Sequence, residues 1–318
     1  MPRPTSGQEP FAFAHANQLR GLPGPAAARE EALHGMFAVD RRPGQGEVYY
    51  GMPGCGLMRV SGDLRRQEII ALPADLAGLN FHSTRLGQLD GQPRLFMPAN
   101  NDGLVAVLTL DGVTDFVLPR PEVEVYADLG QPFRPTDTAL LDGCLYVADG
   151  YGSNCISVAD LGRRRWSRAF GGSTQDAAEH GRFGTAHGLS QEPRQGHLAI
   201  ADRPHARLEV CTTEGEFVRS HPLPTGSRPC GIDFTEIHGH PYGVVASLDD
   251  PVAGRPAPIY LLDGITYEVV STIRPKEELG IEQADHIHNA VWHHHADSTR
   301  LVCQAWNPGR YFVLELTP

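Results

Sequence analysis

Histidines recur at three comparable places in the chain, each beside small or apolar residues that suit a strand. They are His82 in Asn-Phe-His-Ser, His187 in Thr-Ala-His-Gly, and one of His286 and His288 in Asp-His-Ile-His-Asn. The intervals are 105 residues (82 to 187) and 101 residues (187 to 288). Three imidazoles around one centre with open positions are typical of a catalytic zinc ion. Because imidazole also binds copper, iron and nickel, the ligand type predicts zinc or another transition metal.

His286 and His288 compete for the third position, since residues two apart point to the same side of a strand. We favour His288 because the apolar residues after it follow the same register as those after His187. The further histidines at 293–295 precede the polar run Ala-Asp-Ser-Thr. We expect those three to lie in an exposed turn rather than in a metal site.

A repeated pair of β-rich runs supplies the elements that would position these histidines. Each copy has an apolar run, a polar turn and a second run, and the copies lie roughly 40 to 60 residues apart, as propeller blades do. The paired runs are 48–50 with 57–60, 95–97 with 104–108, 145–149 with 155–158, 198–202 with 208–210, 243–246 with 259–262, and 301–304 with 311–314.

The repeat predicts an all-β fold, a six-bladed β-propeller of four-stranded antiparallel blades. Asp-Gly pairs at 90–91, 111–112, 142–143 and 263–264 are typical of tight hairpin turns. We assign residues 31–318 to a single propeller domain and residues 1–30 to a flexible N-terminal segment. Two closures of the ring fit the repeat: the last blade closes alone, or the N-terminal segment adds an outer strand to it.

A propeller would bring the spaced histidines together. The first strand of each blade starts at one mouth of the central channel, and the turn between the second and third strands opens on the same face. His82, His187 and His288 start the first strands of blades two, four and six. Alternate blades of a six-fold ring lie about 120° apart, so these imidazoles are expected to form a tripod.

Turns on the same face add residues for catalysis. Tyr151 follows the second strand of blade three, and a phenol beside a cation loses its proton more easily and can act as a base. Arg203 follows the second strand of blade four, where its guanidinium suits a substrate carboxylate. Four further residues on this face are expected to line a substrate pocket: His34, Asn101, Trp306 and Asn307.

Charge and composition exclude several functions. The 318 residues have a net charge of −11, and an acidic surface repels phosphate, so we expect no nucleic-acid and no membrane partner. No apolar run reaches the about 18 residues of a membrane span, and the N-terminus has no apolar signal region, which predicts a cytoplasmic protein. Six scattered cysteines without a CxxC motif are expected to be reduced. A small-molecule substrate is the remaining partner.

Several stretches resemble the NHL-repeat propellers, and among them the peptidyl-α-hydroxyglycine α-amidating lyases. The stretches are 147–151, 170–172, 181–189 and 200–203, within the region of about 140–215 where the resemblance is specific. It implies a catalytic zinc on His82, His187 and His288, an active-site tyrosine at Tyr151, and an arginine at Arg203 that orients or supports the site. The reaction of that family cleaves a carbinolamide C–N bond and gives an amide and glyoxylate.

The sequence also departs from that family. The family's blade-one arginine, which holds the substrate carboxylate, has no counterpart in the stretch 33–37. Asn289 stands where the family has an acidic residue associated with a structural calcium, which argues against calcium here. Gly152 and Ala199 stand where half-cystines would be expected. We therefore expect a metal-dependent lyase acting on a hydroxylated small molecule, by carbinolamide-like C–N or C–O cleavage or by hydration.

Two other classes of function remain open. An NHL-type propeller can be a non-catalytic scaffold that binds a protein or RNA, for which the run 163–166, Arg-Arg-Arg-Trp, would be the contact. A calcium-dependent lactonase shares the six blades but uses carboxylate and amide oxygens as ligands. The channel mouth here offers mainly imidazole, with Asp137 and Asp249 as lesser candidates.

Overall fold

The computed structural model describes residues 3–19, 21–193 and 196–317, and most regular structure within them is β-strand. The helical elements of these residues are a four-residue α-helix and three 3-10 turns. Their bounds are Gly24–Ala27 for the helix, and Asn17–Leu19, Glu30–Ala32 and Glu124–Tyr126 for the turns. In the described ranges, no helix has both the length and the apolar character needed to span a bilayer.

The strands follow the repeat closely and are numbered in chain order. They are β1 Thr5–Ser6, β2 Phe13–His15, β3 Ala38–Val39, β4 Val48–Met52, β5 Gly56–Val60, β6 Gln67–Ile70, β7 Arg85–Leu89, β8 Gln92–Ala99, β9 Leu104–Leu108, β10 Thr114–Leu118, β11 Asp137–Leu141, β12 Cys144–Ala148, β13 Cys155–Asp160, β14 Arg165–Gly171, β15 Ala186–Gln191, β16 Leu198–Asp202, β17 Arg207–Cys211, β18 Phe217–Pro222, β19 Pro229–Ile237, β20 His240–Ser247, β21 Ile259–Asp263, β22 Val269–Ile273, β23 Ile287–His295, β24 Ser298–Ala305 and β25 Arg310–Leu316.

In the described part of the chain these strands form six antiparallel sheets. Blades one to five each use four consecutive strands, from β3–β6 to β19–β22. The first strands of neighbouring blades contact one another around the ring, so they line the central channel. The structure therefore confirms the predicted all-β, six-bladed propeller.

The sixth blade combines strands from two distant parts of the chain. It contains β23, β24 and β25, and β2 pairs antiparallel with β25, with Phe13 opposite Leu316. The two-residue strand β1 then pairs with β2 and adds a fifth strand. Of the two closures that the repeat allows, the molecule has the one with an N-terminal strand. Within the segment 1–30, expected to be flexible, Phe11 and Phe13 are buried against the last blade and fasten this part of the chain to the propeller.

The hydrophobic core is divided among the six junctions between blades. Each junction has its own cluster of buried side chains from two adjacent blades. At the junction of blades six and one, Val291 and Val313 pack in the same cluster as Phe37 and Tyr50. Burial of apolar surface stabilises the fold by about 25 cal/mol per Å², so the closing junction is held by the same interaction as the others.

Three polar side chains tie first strands together within the channel. Asp137 accepts a hydrogen bond from the backbone N–H of Leu189 in the next blade. Asp233 accepts one from Trp292, and the Asn289 Oδ1 accepts one from the Phe37 N–H across the closing junction, at 3.0 Å. Asn289, which stands where the resembled family has an acidic residue, therefore fastens blade six to blade one.

The expectation that residues 293–295 lie in an exposed turn is wrong. They continue strand β23, and the side chain of His293 is fully buried, with its Nε2 2.8 Å from the carbonyl oxygen of Gly46. Side chains alternate along the strand, so His293 points inward while His294 remains exposed. Three histidines in a row do not show this alternation in the sequence, because all three are polar.

Candidate metal centre

Each first strand has one side chain at or just before its start, at the same end of the channel. In blade order these are His34, His82, Thr136, His187, Cys230 and His288. The ring centroids of His82 and His187 lie 4.9 Å apart, those of His82 and His288 4.8 Å apart, and those of His187 and His288 4.9 Å apart. The structure thus brings together the three imidazoles that the sequence placed in alternate blades.

A fourth imidazole belongs to the same cluster. The ring centroid of His34 is 4.5 Å from that of His82 and 4.7 Å from that of His288. Ligand nitrogens of His34, His82 and His288 all lie within 4.8 Å of one another, so these three could hold a metal ion. We call His34, His82, His187 and His288 the histidine group. Sequence analysis had placed His34 in the substrate pocket instead.

The histidine group is buried, which keeps its rings neutral. Burial lowers the pKa of His82, His187 and His288 well below the usual value, and lowers the pKa of His34 to about 4. The positive charge of Arg203 contributes to the lowering of all four pKa values. Neutral imidazole is the form that binds a metal.

The hydrogen bonds of these rings leave nitrogen lone pairs available. The Nδ1 of His82 lies 2.6 Å from the Thr136 carbonyl oxygen, and that of His288 lies 3.1 Å from Gln304 Oε1. Because both oxygens can only accept, each Nδ1 carries the hydrogen and each Nε2 carries the lone pair. The Nε2 of His288 and the Nδ1 of His187 are buried without a partner. Such a donor set, in which oxygens hold the Nδ1 atoms of His82 and His288, fits a transition metal.

A glycine allows the strand that carries His187 to pack closely on the next blade. A Cβ added to Gly188 would lie 2.0 Å from the carbonyl oxygen of Cys230, which no side chain tolerates. The His-Gly pair therefore places an imidazole in the channel while the following backbone touches the neighbouring first strand.

Tyr151 lies beside the histidine group, as the position of its turn predicts. Its hydroxyl is 3.0 Å from the Nε2 of His187 and 3.3 Å from the Nε2 of His82. Burial raises the pKa of Tyr151, whereas the nearby charge of Arg203 acts in the opposite direction. The Tyr151 hydroxyl thus lies between two imidazoles and a guanidinium. A cation bound beside it would favour the phenolate.

Arg203 is almost completely buried and contacts Tyr151 rather than solvent. Its guanidinium lies 3.4 Å from the Tyr151 hydroxyl and 3.1 Å from the Sγ of Cys230, and its Nε has no partner. The side chain therefore places a positive charge next to the phenol. The contact with Cys230, the blade-five residue at the channel mouth, connects this charge to the first strand of that blade.

Two buried aspartates hold the turns that carry these residues. Asp149 accepts a hydrogen bond from the backbone N–H of Ser153 at 2.7 Å and so closes the turn around Tyr151. Asp202 accepts hydrogen bonds from the backbone of Gly184 and Thr185, just before His187. The aspartate of the Ala-Asp pair that ends the second strand of each of these blades thus holds the turn, and the repeated pair is the sequence pattern that indicates it.

The remaining predicted residues lie outside the histidine group. His286 directs its Nδ1 at the carbonyl oxygen of Leu248, 2.6 Å away, so His288 is the one of the pair that faces the central rings. Trp306 contacts the group through His34, with 5.2 Å between ring centroids. Asn101 and Asn307 are exposed on the turns between strands β8 and β9 and between β24 and β25.

Sequence reasoning missed the residues that support the group. Asn80 lies 3.3 Å from the Nδ1 of His34, through its amide nitrogen. Gln304 orients His288 and also donates to the carbonyl oxygen of Leu33. A glutamine inside the otherwise apolar run Leu-Val-Cys-Gln-Ala was the available signal for Gln304, whereas nothing in the sequence pointed to Asn80.

Comparison with known proteins supports the fold and part of the resemblance. No protein-family model matches the chain. The peptidyl-glycine alpha-amidating monooxygenase A of Xenopus laevis is 26% identical over 151 residues, which is 45% of this chain and 15% of that protein. The chain thus corresponds to a small part of that curated relative.

Two solved structures of similar fold are lyases by name. A streptogramin B lyase has a TM-score of 0.56 at 14% identity, covering 91% of this chain and 95% of that one. A catalytically inactive virginiamycin B lyase from Staphylococcus aureus, in complex with quinupristin, has a TM-score of 0.55 at 12% identity, covering 86% and 78%. At such identities the likeness concerns the fold alone. Fold and site together define a six-bladed propeller with a histidine group that could bind a metal.

Proposed function

We propose that this chain is a metal-dependent lyase that acts on a hydroxylated small molecule, in the manner of a carbinolamide C–N or C–O cleaving enzyme. The observation that carries the proposal is the position of the Tyr151 hydroxyl, 3.0 Å from a ring nitrogen of His187 and 3.4 Å from the Arg203 guanidinium. A proton-transfer group therefore adjoins the place where three or four imidazoles converge. The proposed ligands are His82, His187 and His288.

The metal supplies Lewis acidity: zinc, or another transition ion in the histidine group, would polarise the substrate hydroxyl and lower the pKa of the adjacent phenol. Tyr151, deprotonated to the phenolate before the reaction begins, then accepts the hydroxyl proton of the substrate. As the C–O bond becomes a carbonyl, the C–N bond breaks, and Tyr151 returns the proton to the leaving amide nitrogen. Atoms and charges balance without any further reagent.

Arg203 serves as a positioning residue in this scheme. It contacts the Tyr151 hydroxyl and is itself nearly fully buried, at 6% exposure. A buried positive charge favours the phenolate over the phenol. The guanidinium also contacts the Sγ of Cys230, and this second contact holds it beside the phenol.

The comparison with the amidating enzyme supports the reaction class. That protein's name describes amidation of a peptidyl-glycine, and the match covers 45% of this chain. The chain lacks an arginine in the stretch 33–37, where the resembled family holds a substrate carboxylate. The proposed substrates therefore include carbinolamides with and without a carboxylate.

The test combines metal analysis with turnover of N-acyl-α-hydroxyglycines and of uncharged carbinolamides. Protein purified without chelator is expected to contain about one transition ion per chain and to release the aldehyde product. His187→Ala should lose turnover and bind the metal more weakly, whereas Tyr151→Phe should keep the metal affinity of the wild type and lose about 10²- to 10⁴-fold in rate.

His293→Gln is the matched control, because it removes a buried imidazole outside the histidine group. It should retain both metal and turnover. Full activity of His187→Ala, or equal turnover after complete removal of the metal, would contradict the proposal. Lactone hydrolysis that depends on calcium alone would instead favour the calcium-dependent class.

A further inference from the structure

His34 is in close contact with the proposed ligands but has no role in the function proposed above. It occupies the blade-one position that corresponds to His82, His187 and His288 in their blades. His82 and His288 are its neighbours in the cluster, at centroid distances of 4.5 and 4.7 Å. These same two rings are also the neighbours of His187.

We infer that His34 is a fourth imidazole ligand of the metal centre. The inference rests on the proposed metal-dependent function and extends its ligand set. The convergence of the rings carries it: ligand atoms of His34, His82 and His288 lie within 4.8 Å of one another, and the ring centroid of His187 lies 4.9 Å from those of His82 and His288. His34 thus satisfies the same criterion of proximity as two residues already proposed to be ligands.

The environment of Asn80 supports the same role. Its Nδ2 lies 3.3 Å from the Nδ1 of His34, while its own Oδ1 is buried without a partner. If the amide turns end for end, Oδ1 accepts the Nδ1–H of His34, and the Nε2 lone pair becomes available for a metal. His82 and His288 already have this arrangement, with Nδ1 bonded to an oxygen. Metal-bound histidines commonly bond their second nitrogen to such an acceptor.

A fourth imidazole would change which ion the centre prefers. Four nitrogen ligands complete the tetrahedral shell that is usual for zinc and leave no position for a substrate. Ions that accept five or six ligands, such as iron, cobalt, nickel or copper, would keep open positions beside four imidazoles. The inference therefore favours one of these ions over zinc in the active protein.

The experiment loads the full chain with Co²⁺ and measures its ligands independently of turnover. X-ray absorption of the wild-type protein should give four imidazoles per cobalt ion. His34→Gln should still bind one ion through His82, His187 and His288, but with an affinity at least tenfold lower in competition with a chelator. Its visible cobalt spectrum should also change, whereas His293→Gln should match the wild type in both respects.

The outcomes separate this inference from the proposed function. Three imidazoles in the wild type, no cobalt binding, or an unchanged affinity and spectrum in His34→Gln overturns the inference. If only the KM of His34→Gln rises, the residue contacts substrate and is not a ligand. Four imidazoles without lyase turnover would support the ligand role and contradict the function. X-ray absorption of the wild type decides the question even if His34→Gln fails to fold.

Discussion

Two buried clusters of ionisable side chains, the histidine group and a network in blade four, differ in how their polar atoms are satisfied. The blade-four network consists of the buried Asp202, Arg207 and Glu209, together with His205 and the exposed His180 at its edge. In it, Arg207 pairs with Asp202 at 3.0 Å and with Glu209 at 3.1 Å, and donates to three backbone carbonyls of residues 177–182. Both carboxylates also accept backbone N–H groups.

In the histidine group, by contrast, some buried polar atoms have no hydrogen-bond partner. His187 Nδ1 and His288 Nε2 are buried without a protein partner, and four neutral rings crowd together without an anion among them. A buried polar atom without a hydrogen bond costs about 1–3 kcal/mol. The network therefore stabilises the loop that leads to His187, whereas the histidine group keeps unsatisfied nitrogen atoms that a ligand could bind.

The largest expected effect comes from breaking the blade-four network. Arg207→Ala leaves two buried carboxylates without their partner, which should lower the free energy of unfolding by about 3–5 kcal/mol. His187→Leu removes a ring whose Nδ1 is already unsatisfied, so metal-free protein should change by about 1 kcal/mol or less. Denaturant unfolding of both variants without metal measures the contrast. Equal destabilisation would remove the distinction between the two regions.

Metal binding should stabilise the protein through the histidine group alone. At a free metal concentration of 100 times the Kd, the gain in unfolding free energy is about 2.7 kcal/mol. Thermal unfolding with and without added metal should show this gain in the wild type and in His293→Gln. His288→Ala should show a smaller gain, and a metal-induced gain of the same size in His288→Ala would place the binding site elsewhere.

His293 sharpens the comparison because its Nδ1 is also buried without a partner, yet among the described residues it belongs to no group of three potential metal ligands. Burial lowers its pKa to about 4, against an ordinary value of 6.5. Between these values the unfolded chain binds the proton and the folded protein does not, so this histidine reduces stability as the pH falls from about 6.5 to 4. At pH 5 the difference is about 2 kcal/mol by this linkage.

Stability measured against pH for the wild type and His293→Gln tests this expectation. The variant should lose less stability than the wild type between pH 7 and pH 5. Identical pH profiles would mean that His293 is protonated or hydrated in the folded protein.

The smallest expected effect concerns the support of His288. Gln304→Met keeps the length of the side chain but removes the acceptor that orients Nδ1, which should weaken metal binding about tenfold. Gln67→Met is the matched control, because Gln67 is a buried glutamine bonded to Tyr50 in blade one. Chelator competition should distinguish the two variants, and equal affinities would show that Gln304 does not position the ring.

The fold could be predicted from the sequence because its repeat is explicit. Asp-Gly at 90–91 and 142–143 adopts positive φ at both residues, as two-residue hairpin turns require. The N-terminal strands could not be predicted individually, because runs of two and three residues are too short to show a strand pattern. Such short runs acquire their structure from pairing, because β2 pairs with strand β25 and β1 pairs with β2.

The site was predictable where a residue kept its place in the repeat. Tyr151 and Arg203 occupy corresponding turns of adjacent blades, and His82, His187 and His288 occupy corresponding strand starts. His34 has the same register in blade one, but a tripod of three ligands in alternate blades does not include blade one. Asn80 and Gln304 act through contacts between adjacent blades, which spacing along the chain does not encode.

An anomalous-scattering experiment tests the central claim most directly. Crystals of protein purified without chelator, measured at the absorption edges of the first-row metals, are expected to give one peak enclosed by the imidazoles of blades one, two, four and six. Metal–nitrogen distances of about 2.0–2.1 Å would identify the bound rings. A channel without a peak, or a peak held by other residues, would contradict the account and leave the propeller without its proposed catalytic centre.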